Sequence, residues 1–173
     1  MAVANVSSFL PVARRDARVL ILGSMPGIAS LEAQRYYAHP RNAFWPILAE
    51  ICGFDRELLY EQRLKEVQRL GIALWDVLAS CARSGSLDSD IEAASIRTND
   101  FAGFLASHPG VTTVLCNGGA AFQMFRKRVV PELSDEFAKL RVRQLPSSSP
   151  AHASMTLAQK RDVWLREIGP LLE

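Results

Sequence analysis

Short apolar segments recur along the chain, and each is followed by a polar or glycine-rich turn. The segments occupy residues 19–22, 72–75, 111–116 and 140–145. The first three are largely continuous apolar runs, whereas the fourth alternates apolar with charged positions. Continuous runs of this length are typical of strands buried on both faces, and alternation is typical of a strand at or near a sheet edge. The pattern therefore predicts four strands, the last of them at or near an edge.

The stretches between these segments carry apolar residues at helical spacing. Helices are predicted over residues 43–52, 57–70 and 120 to about 130. A further helix is predicted to begin at a cap formed by Thr98 or Asn99 and to break at His108. The last helix begins at Thr156, which stands in capping-box spacing with Gln159.

The alternation of strands and helices predicts an α/β fold. We expect three α/β/α layers around a central, mainly parallel sheet of four strands, forming one domain over residues 1–173. Residues 1–18 are interpreted as a short lead-in, and residues 82–90 as a loop. In such a sheet the turns GSMPG, WD, NGG and LPSSSPAH would meet along one rim. A site built from four loops is expected there.

Composition narrows the class of protein. With 173 residues, 49% of them hydrophobic, the chain can bury one sizeable core without disulfides or metal. The sequence shows neither a membrane-spanning apolar run nor a signal peptide, so a cytoplasmic location is expected. The cysteines Cys52, Cys81 and Cys116 form no CxxC pair, which argues against a zinc or iron–sulfur site. No cofactor is expected.

The first loop, residues 23–27, joins the first strand to a cluster of aromatic and polar residues. Gly23 and Gly27 allow backbone N–H groups to approach a ligand closely, and Pro26 stiffens the turn between them. The same five residues are equally compatible with a tight turn that binds nothing.

Five motifs in this order resemble the uracil-DNA glycosylase superfamily, and most closely its hypoxanthine-DNA (deoxyinosine) glycosylase branch. They read GSMPG, YYAHPRNAFW, ALWDVLASCARSGSLDS, LCNGG and LPSSSPAHA, and the similarity covers roughly residues 18–168. One departure is notable. Met25 stands where most of the superfamily has Asn or Asp, so the usual catalytic side chain is absent.

The resemblance implies that Asn42 is the catalytic residue and holds a water molecule. Loss of a base develops positive charge on the sugar and negative charge on the base, so catalysis needs an oriented water and donors near the base. Backbone N–H groups of residues 24–27 could be those donors, and Phe44 could stack on the flipped base. Alternatively, Asn42 caps a helix and Phe44 belongs to the core.

The resemblance also implies a base pocket and a DNA-binding loop. Asp76 is expected to read the base edge, although it could instead cap a strand end. The pocket is expected to comprise Gly23, Ser24, Met25, Pro26, Gly27, His39, Phe44, Asp76 and Asn117. A structural role is equally possible for His39. Asn117 is equally well explained as part of a tight βα turn. Phosphate contacts are expected from Ser147, Ser148, Ser149, Pro150 and His152, with a solvent-exposed turn as the alternative.

The implied function is that of a monofunctional DNA glycosylase that flips a deaminated base, preferably hypoxanthine, and hydrolyses its glycosidic bond. Double-stranded DNA is the expected partner, with no membrane, and the chain is expected to act as a monomer. Two alternatives remain open at the level of sequence. One is excision of uracil or a mismatched base, and the other is a nucleotide-binding module without catalysis.

Overall fold

The structure is a computed structural model that describes residues 2–173, so Met1 of the predicted lead-in and of the predicted domain lies outside the described residues. In chain order the strands are β1 (Ala4–Ser7), β2 (Val19–Gly23), β3 (Ile72–Asp76), β4 (Leu78–Arg83), β5 (Arg97–Thr98), β6 (Thr113–Asn117) and β7 (Arg141–Leu145). The α-helices are α1 (Ile28–Ala33), α2 (Phe44–Cys52), α3 (Tyr60–Arg69), α4 (Phe101–Ser107), α5 (Gly119–Met124) and α6 (Leu157–Ile168). Residues 125–129 continue α5 as a π-helical turn.

The central sheet has the strand order β3-β2-β6-β7, and its neighbouring strands are parallel. Every residue of β2 and β3 is buried. The strand β2 is an inner strand covered on both faces, whereas β3 lies at one edge of the sheet, where Val12 forms a bridge with its Leu74. The strand β7 lies at the other edge, where Arg141, Arg143 and Gln144 are exposed. The predicted α/β class and four-stranded parallel sheet are therefore confirmed.

Two hydrophobic clusters cover the two faces of this sheet. In β2, Leu20 and Leu22 belong to one cluster, and Val19 and Ile21 belong to the other, because successive side chains of a strand point to opposite faces. The first cluster is completed by α4 and α5, and the second by α2, α3 and α6. No helix within residues 2–173 is long and apolar enough to cross a membrane.

A small antiparallel sheet was not expected. It has the order β1-β4-β5, so the lead-in is partly a strand, and the predicted loop over residues 82–90 begins as the end of β4. The prediction was wrong because β1 is mostly exposed and pairs with residues far along the chain. Neither property produces a local hydrophobic pattern.

The helices differ from expectation at α1 and at the cap of α4. The helix α1 was missed because its six residues are too few for a clear period. Asp100, rather than Thr98 or Asn99, caps α4 by accepting the Gly103 N–H at 2.9 Å. Asn99 is used otherwise, since its Nδ2 donates to the Asp76 carbonyl at 2.8 Å. The capping box of Thr156 and Gln159 is present as predicted.

Candidate active site

A cavity of about 320 Å³ opens at the carboxyl ends of the parallel strands, a size typical of small-molecule sites. All four predicted turns contribute to its wall. From the predicted base pocket the lining contains Gly23, Ser24, Met25, Pro26, Gly27, His39, Asp76 and Asn117. Asn42, Ser147, Ser148, Ser149 and Pro150 line it as well. The sheet topology brings these turns together, as the sequence predicted.

The cavity depends on a close approach between the ends of β2 and β3. Gly23 is paired with Asp76 in the parallel register. A Cβ atom at Gly23 would lie 2.5 Å from Asp76 Oδ1 and 3.1 Å from the Tyr37 hydroxyl oxygen. Glycine is required at residue 23 because any side chain would displace the carboxyl group.

Asp76 has a buried carboxyl group that can still accept a hydrogen bond. Only 3% of the residue is exposed, and its Oδ2 has no hydrogen-bond partner within residues 2–173. Burial raises the pKa of Asp76 to about 7, the Asp88 charge adds to the rise, and Arg83 opposes it. A buried polar atom without a partner is costly, and this one belongs to a residue of the cavity wall.

Arg83 was missed by the sequence analysis, which treated it as part of a loop. It is the last residue of β4 and only 2% exposed, and its Nη2 donates to the Pro26 carbonyl oxygen. Its Nε and Nη1 are buried without a partner among the described residues. Arg83 therefore ties the first loop to the small sheet and supplies positive charge near Asp76.

The segment after β4 forms another part of the wall that was not foreseen. Ser86, Leu87 and Asp88 line the cavity, and the Ser24 hydroxyl donates to the Asp88 carboxylate. The Ser86 hydroxyl accepts the N–H of Ile28 at 3.0 Å. This segment belongs to a motif that carried the family resemblance, but its polar composition alone indicated only a loop.

Phe44 does not reach the cavity, so its predicted contact with a base was wrong. Its side chain is fully buried, and Tyr37 covers it with ring centroids 3.7 Å apart and planes 18° apart. Tyr37 lines the cavity instead. Its φ of 55° is unusual for a bulky residue. Burial and the nearby Asp76 carboxyl raise the pKa of the Tyr37 hydroxyl, which has no partner among residues 2–173.

Asn42 lines the cavity and also makes a structural bond. Its Oδ1 accepts the Phe44 N–H at 2.9 Å, at the start of α2. His39, which also lines the cavity, accepts the Asn42 N–H with its carbonyl oxygen and the Arg41 N–H with its Nδ1. A carbonyl oxygen has two lone pairs, so Oδ1 of Asn42 can still accept from a second donor.

The serine loop, residues 146–150, is held by Asn117. The Oδ1 of Asn117 accepts the Ser148 N–H, and its Nδ2 donates to the Ser148 hydroxyl, both at 2.8 Å. Ser148 is 1% exposed, and its carbonyl accepts the Ala43 N–H at 2.9 Å. The predicted phosphate contact of Ser148 was therefore wrong, because the side chain is committed inside the protein. Ser147 and Ser149 remain half-buried at the cavity wall.

His152 lies beside the cavity rather than in its wall. It lines an adjacent groove together with Arg41 and Lys160, and Lys160 Nζ donates to the Ser149 carbonyl at 3.2 Å. Residues 2–173 contain no group of three or more His, Cys, Asp or Glu side chains arranged to hold a metal ion.

The fold and cavity define an α/β protein whose site lies at the carboxyl ends of a parallel sheet. The chain belongs to the uracil DNA glycosylase superfamily, because the family model of that description matches residues 10–172. A solution NMR structure of a candidate uracil DNA glycosylase from Methanosarcina acetivorans is similar, with a TM-score of 0.81 and 30% identity. The match covers 98% of this chain and 100% of that one.

Two curated relatives carry the name hypoxanthine DNA glycosylase. The protein from Methanosarcina barkeri is 39% identical over 111 residues, which is 64% of this chain and 69% of that protein. The protein from Methanosarcina acetivorans is 36% identical over 114 residues, 65% of this chain and 71% of that protein. The resemblance noted in the sequence is thereby confirmed.

The burial of Asp76 predicts how stability changes with pH. Its folded pKa of about 7 exceeds the ordinary value of 3.8, so the folded protein holds this proton when the unfolded chain has released it. The stabilisation is present below the ordinary value and is lost as the pH rises through the folded pKa. Three pKa units correspond to about 4 kcal/mol.

Asp76→Asn should remove this dependence. Urea denaturation of both proteins from about pH 4 to about pH 8 should show the wild type losing stability relative to the variant, with most of the change below about pH 7. A stability difference that stays constant over this range would show that the carboxyl titrates normally in the folded protein.

Proposed function

We propose that this protein is a hypoxanthine DNA glycosylase, which hydrolyses the bond between a deaminated purine and its deoxyribose. The observation that carries the proposal is the buried carboxyl of Asp76, without a hydrogen-bond partner for Oδ2 in residues 2–173, at a cavity of about 320 Å³ in a superfamily of DNA glycosylases. The names of the two curated relatives support the same choice of base.

The base would be bound by one aromatic ring against its face and by two polar groups at its edge. Tyr37 offers the aromatic surface, because Phe44 lies behind it. Hypoxanthine presents an acceptor at O6 and a donor at N1. The first loop would donate to O6 through the N–H groups of Ser24, Met25 or Gly27, since Pro26 has none. The Asp76 carboxylate would accept from N1–H.

Hydrolysis then requires water on the sugar side. Asn42 would hold that water with the remaining lone pair of Oδ1, while the Phe44 N–H fixes the orientation of the amide. Water adds to the sugar carbon as the bond to the base breaks, the base departs as an anion with the bonding electrons, and the proton that the water loses ends on that base. Donors from the first loop stabilise this charge most strongly in the transition state.

The DNA would be held by its backbone next to the flipped nucleotide. Ser147 and Ser149 line the cavity, and Pro150 with His152 leads from it to the groove with Arg41 and Lys160. Asn117 would act indirectly, because both ends of its amide are bonded to Ser148. Phosphate contacts position the strand without reading its sequence.

A cytoplasmic location fits this activity. The cysteines Cys52, Cys81 and Cys116 are all free, and reduced cysteines are usual in a cytosolic environment.

The direct test is excision from otherwise identical duplexes that contain one inosine, uracil, xanthine or adenine. Alkali cleavage after incubation reveals the abasic sites. We expect the inosine duplex to be cleaved fastest and the adenine duplex to remain intact. Excision of uracil alone would favour the alternative base, and binding without excision of any base would reduce the protein to a nucleotide-binding module.

Replacement of Asn42 separates its two roles. Asn42→Ala removes both the water contact and the bond to the Phe44 N–H, whereas Asn42→Ser keeps a hydroxyl for that N–H but is too short to hold the water. In single-turnover assays on the inosine duplex, both variants should lose about 100-fold or more in rate while binding DNA nearly normally. A near wild-type rate for Asn42→Ser would leave Asn42 only its structural role.

Asp76→Asn tests how the base is chosen. The carboxylate can accept from N1–H of hypoxanthine or N3–H of uracil, while an amide adds a donor that suits uracil better. Single-turnover rates on both duplexes should therefore show a larger loss for inosine than for uracil. Equal losses of rate on the two duplexes, or no loss on either, would show that Asp76 is only a strand-end residue and does not select the base.

A further inference from the structure

A second groove begins where the cavity ends. It encloses about 490 Å³ and is formed by residues before α2 and around the start of α3. Four residues line both spaces, namely Tyr36, Tyr37, His39 and Asn42. A chain that leaves the cavity past Asn42 therefore enters this groove directly.

The groove is lined by an excess of positive charge. Arg35, Arg56 and Arg63 contribute to its wall, and Glu57 is its one lining carboxylate. A second carboxylate, Glu61, lies 3.8 Å from Arg35 in an exposed pair, where ion pairs are weak. Arg56 makes no side-chain hydrogen bond or ion pair among residues 2–173. The groove thus carries cationic groups that are available to an anionic ligand.

Aromatic rings hold two of these guanidinium groups in place. The Arg35 guanidinium carbon lies 5.4 Å from the centre of the Tyr60 ring, and that of Arg63 lies 5.8 Å from the centre of the Trp45 ring. Arg63 Nε also donates to the Leu58 carbonyl at 2.8 Å. Guanidinium groups that are already oriented lose less freedom when they bind, and their fork of donors matches a phosphate.

We propose that this arginine groove, formed by Arg35, Arg56 and Arg63, binds phosphates of the damaged DNA strand on one side of the flipped nucleotide. The groove with Arg41, His152 and Lys160 adjoins the arginine groove, since both are lined by Pro40, Asn42 and Pro46. The strand would cross the cavity mouth from one groove to the other. The inference rests on the proposed function in that DNA is the substrate.

The test uses binding, so it does not depend on excision. The double variant Arg35→Gln/Arg56→Gln removes two charges and leaves Arg63, which bonds to the backbone. The control is Lys127→Gln/Arg128→Gln, two exposed charges outside both grooves and the cavity. Dissociation constants for a duplex with one 2′-fluoro-deoxyinosine, which resists hydrolysis, are measured at several salt concentrations, with melting temperatures checked for each protein.

The arginine-groove variant should bind at least about ten-fold more weakly, and the slope of log Kd against log salt should fall by about 2, since each phosphate contact contributes about 0.9. The control variant should match the wild type in its dissociation constant and in the slope of log Kd against log salt. An unchanged affinity and slope for the variant would overturn the proposal. If the double variant melts early, Arg56→Gln alone should reduce the slope by about 1.

Shortened substrates test whether the arginine groove binds the strand on only one side of the flipped nucleotide, either 5′ or 3′. Single-stranded oligonucleotides are cut back to the modified nucleotide from the 5′ end or from the 3′ end. The difference between wild type and variant should persist with one truncation and disappear with the other. A difference between wild type and variant that persists with both truncated substrates would overturn the proposal. Wild-type binding of the inosine duplex without excision would contradict the proposed function but not the groove.

Discussion

The contact between Gly23 and Asp76 is the constraint on which the site depends. Two neighbouring parallel strands end side by side, and the absence of a side chain at Gly23 leaves room for the Asp76 carboxyl and the Tyr37 hydroxyl. Neither Asp76 Oδ2 nor that hydroxyl has a hydrogen-bond partner in residues 2–173. The fold therefore delivers two buried polar groups to one cavity and leaves both able to bind a ligand.

Buried groups of this kind reduce stability, and nearby residues limit the loss. Arg83 supplies a positive charge that opposes the rise in the Asp76 pKa, and it also fixes the first loop through the Pro26 carbonyl. Asn117 holds the serine loop through Ser148, and the Ser148 carbonyl in turn binds Ala43 beside Asn42. Hydrogen bonds thus connect the serine loop to the segment of the proposed catalytic residue, and Arg83 separately fixes the first loop beside Asp76.

The sequence predicted what depends on local pattern. Apolar runs located the four strands of the parallel sheet, and the sheet class then placed the first loop, Asp76, Asn117 and the serine loop at one rim. Residues whose role depends on tertiary packing were misjudged. Phe44 and Tyr37 are both aromatic residues of one motif, but Tyr37, at a positive φ, lines the cavity and Phe44 packs behind it. Arg83 was missed because a buried arginine in a polar segment has no sequence signature.

In the proposed function, Asp76 reads the edge of the excised base. The most direct measurement is a crystal structure of the protein with a duplex containing 2′-fluoro-deoxyinosine. We predict a flipped hypoxanthine over Tyr37, with a carboxylate oxygen of Asp76 about 2.7–3.2 Å from N1. A hypoxanthine bound in the cavity with N1 beyond hydrogen-bond distance of Asp76, or a base left stacked in the duplex, would contradict the account.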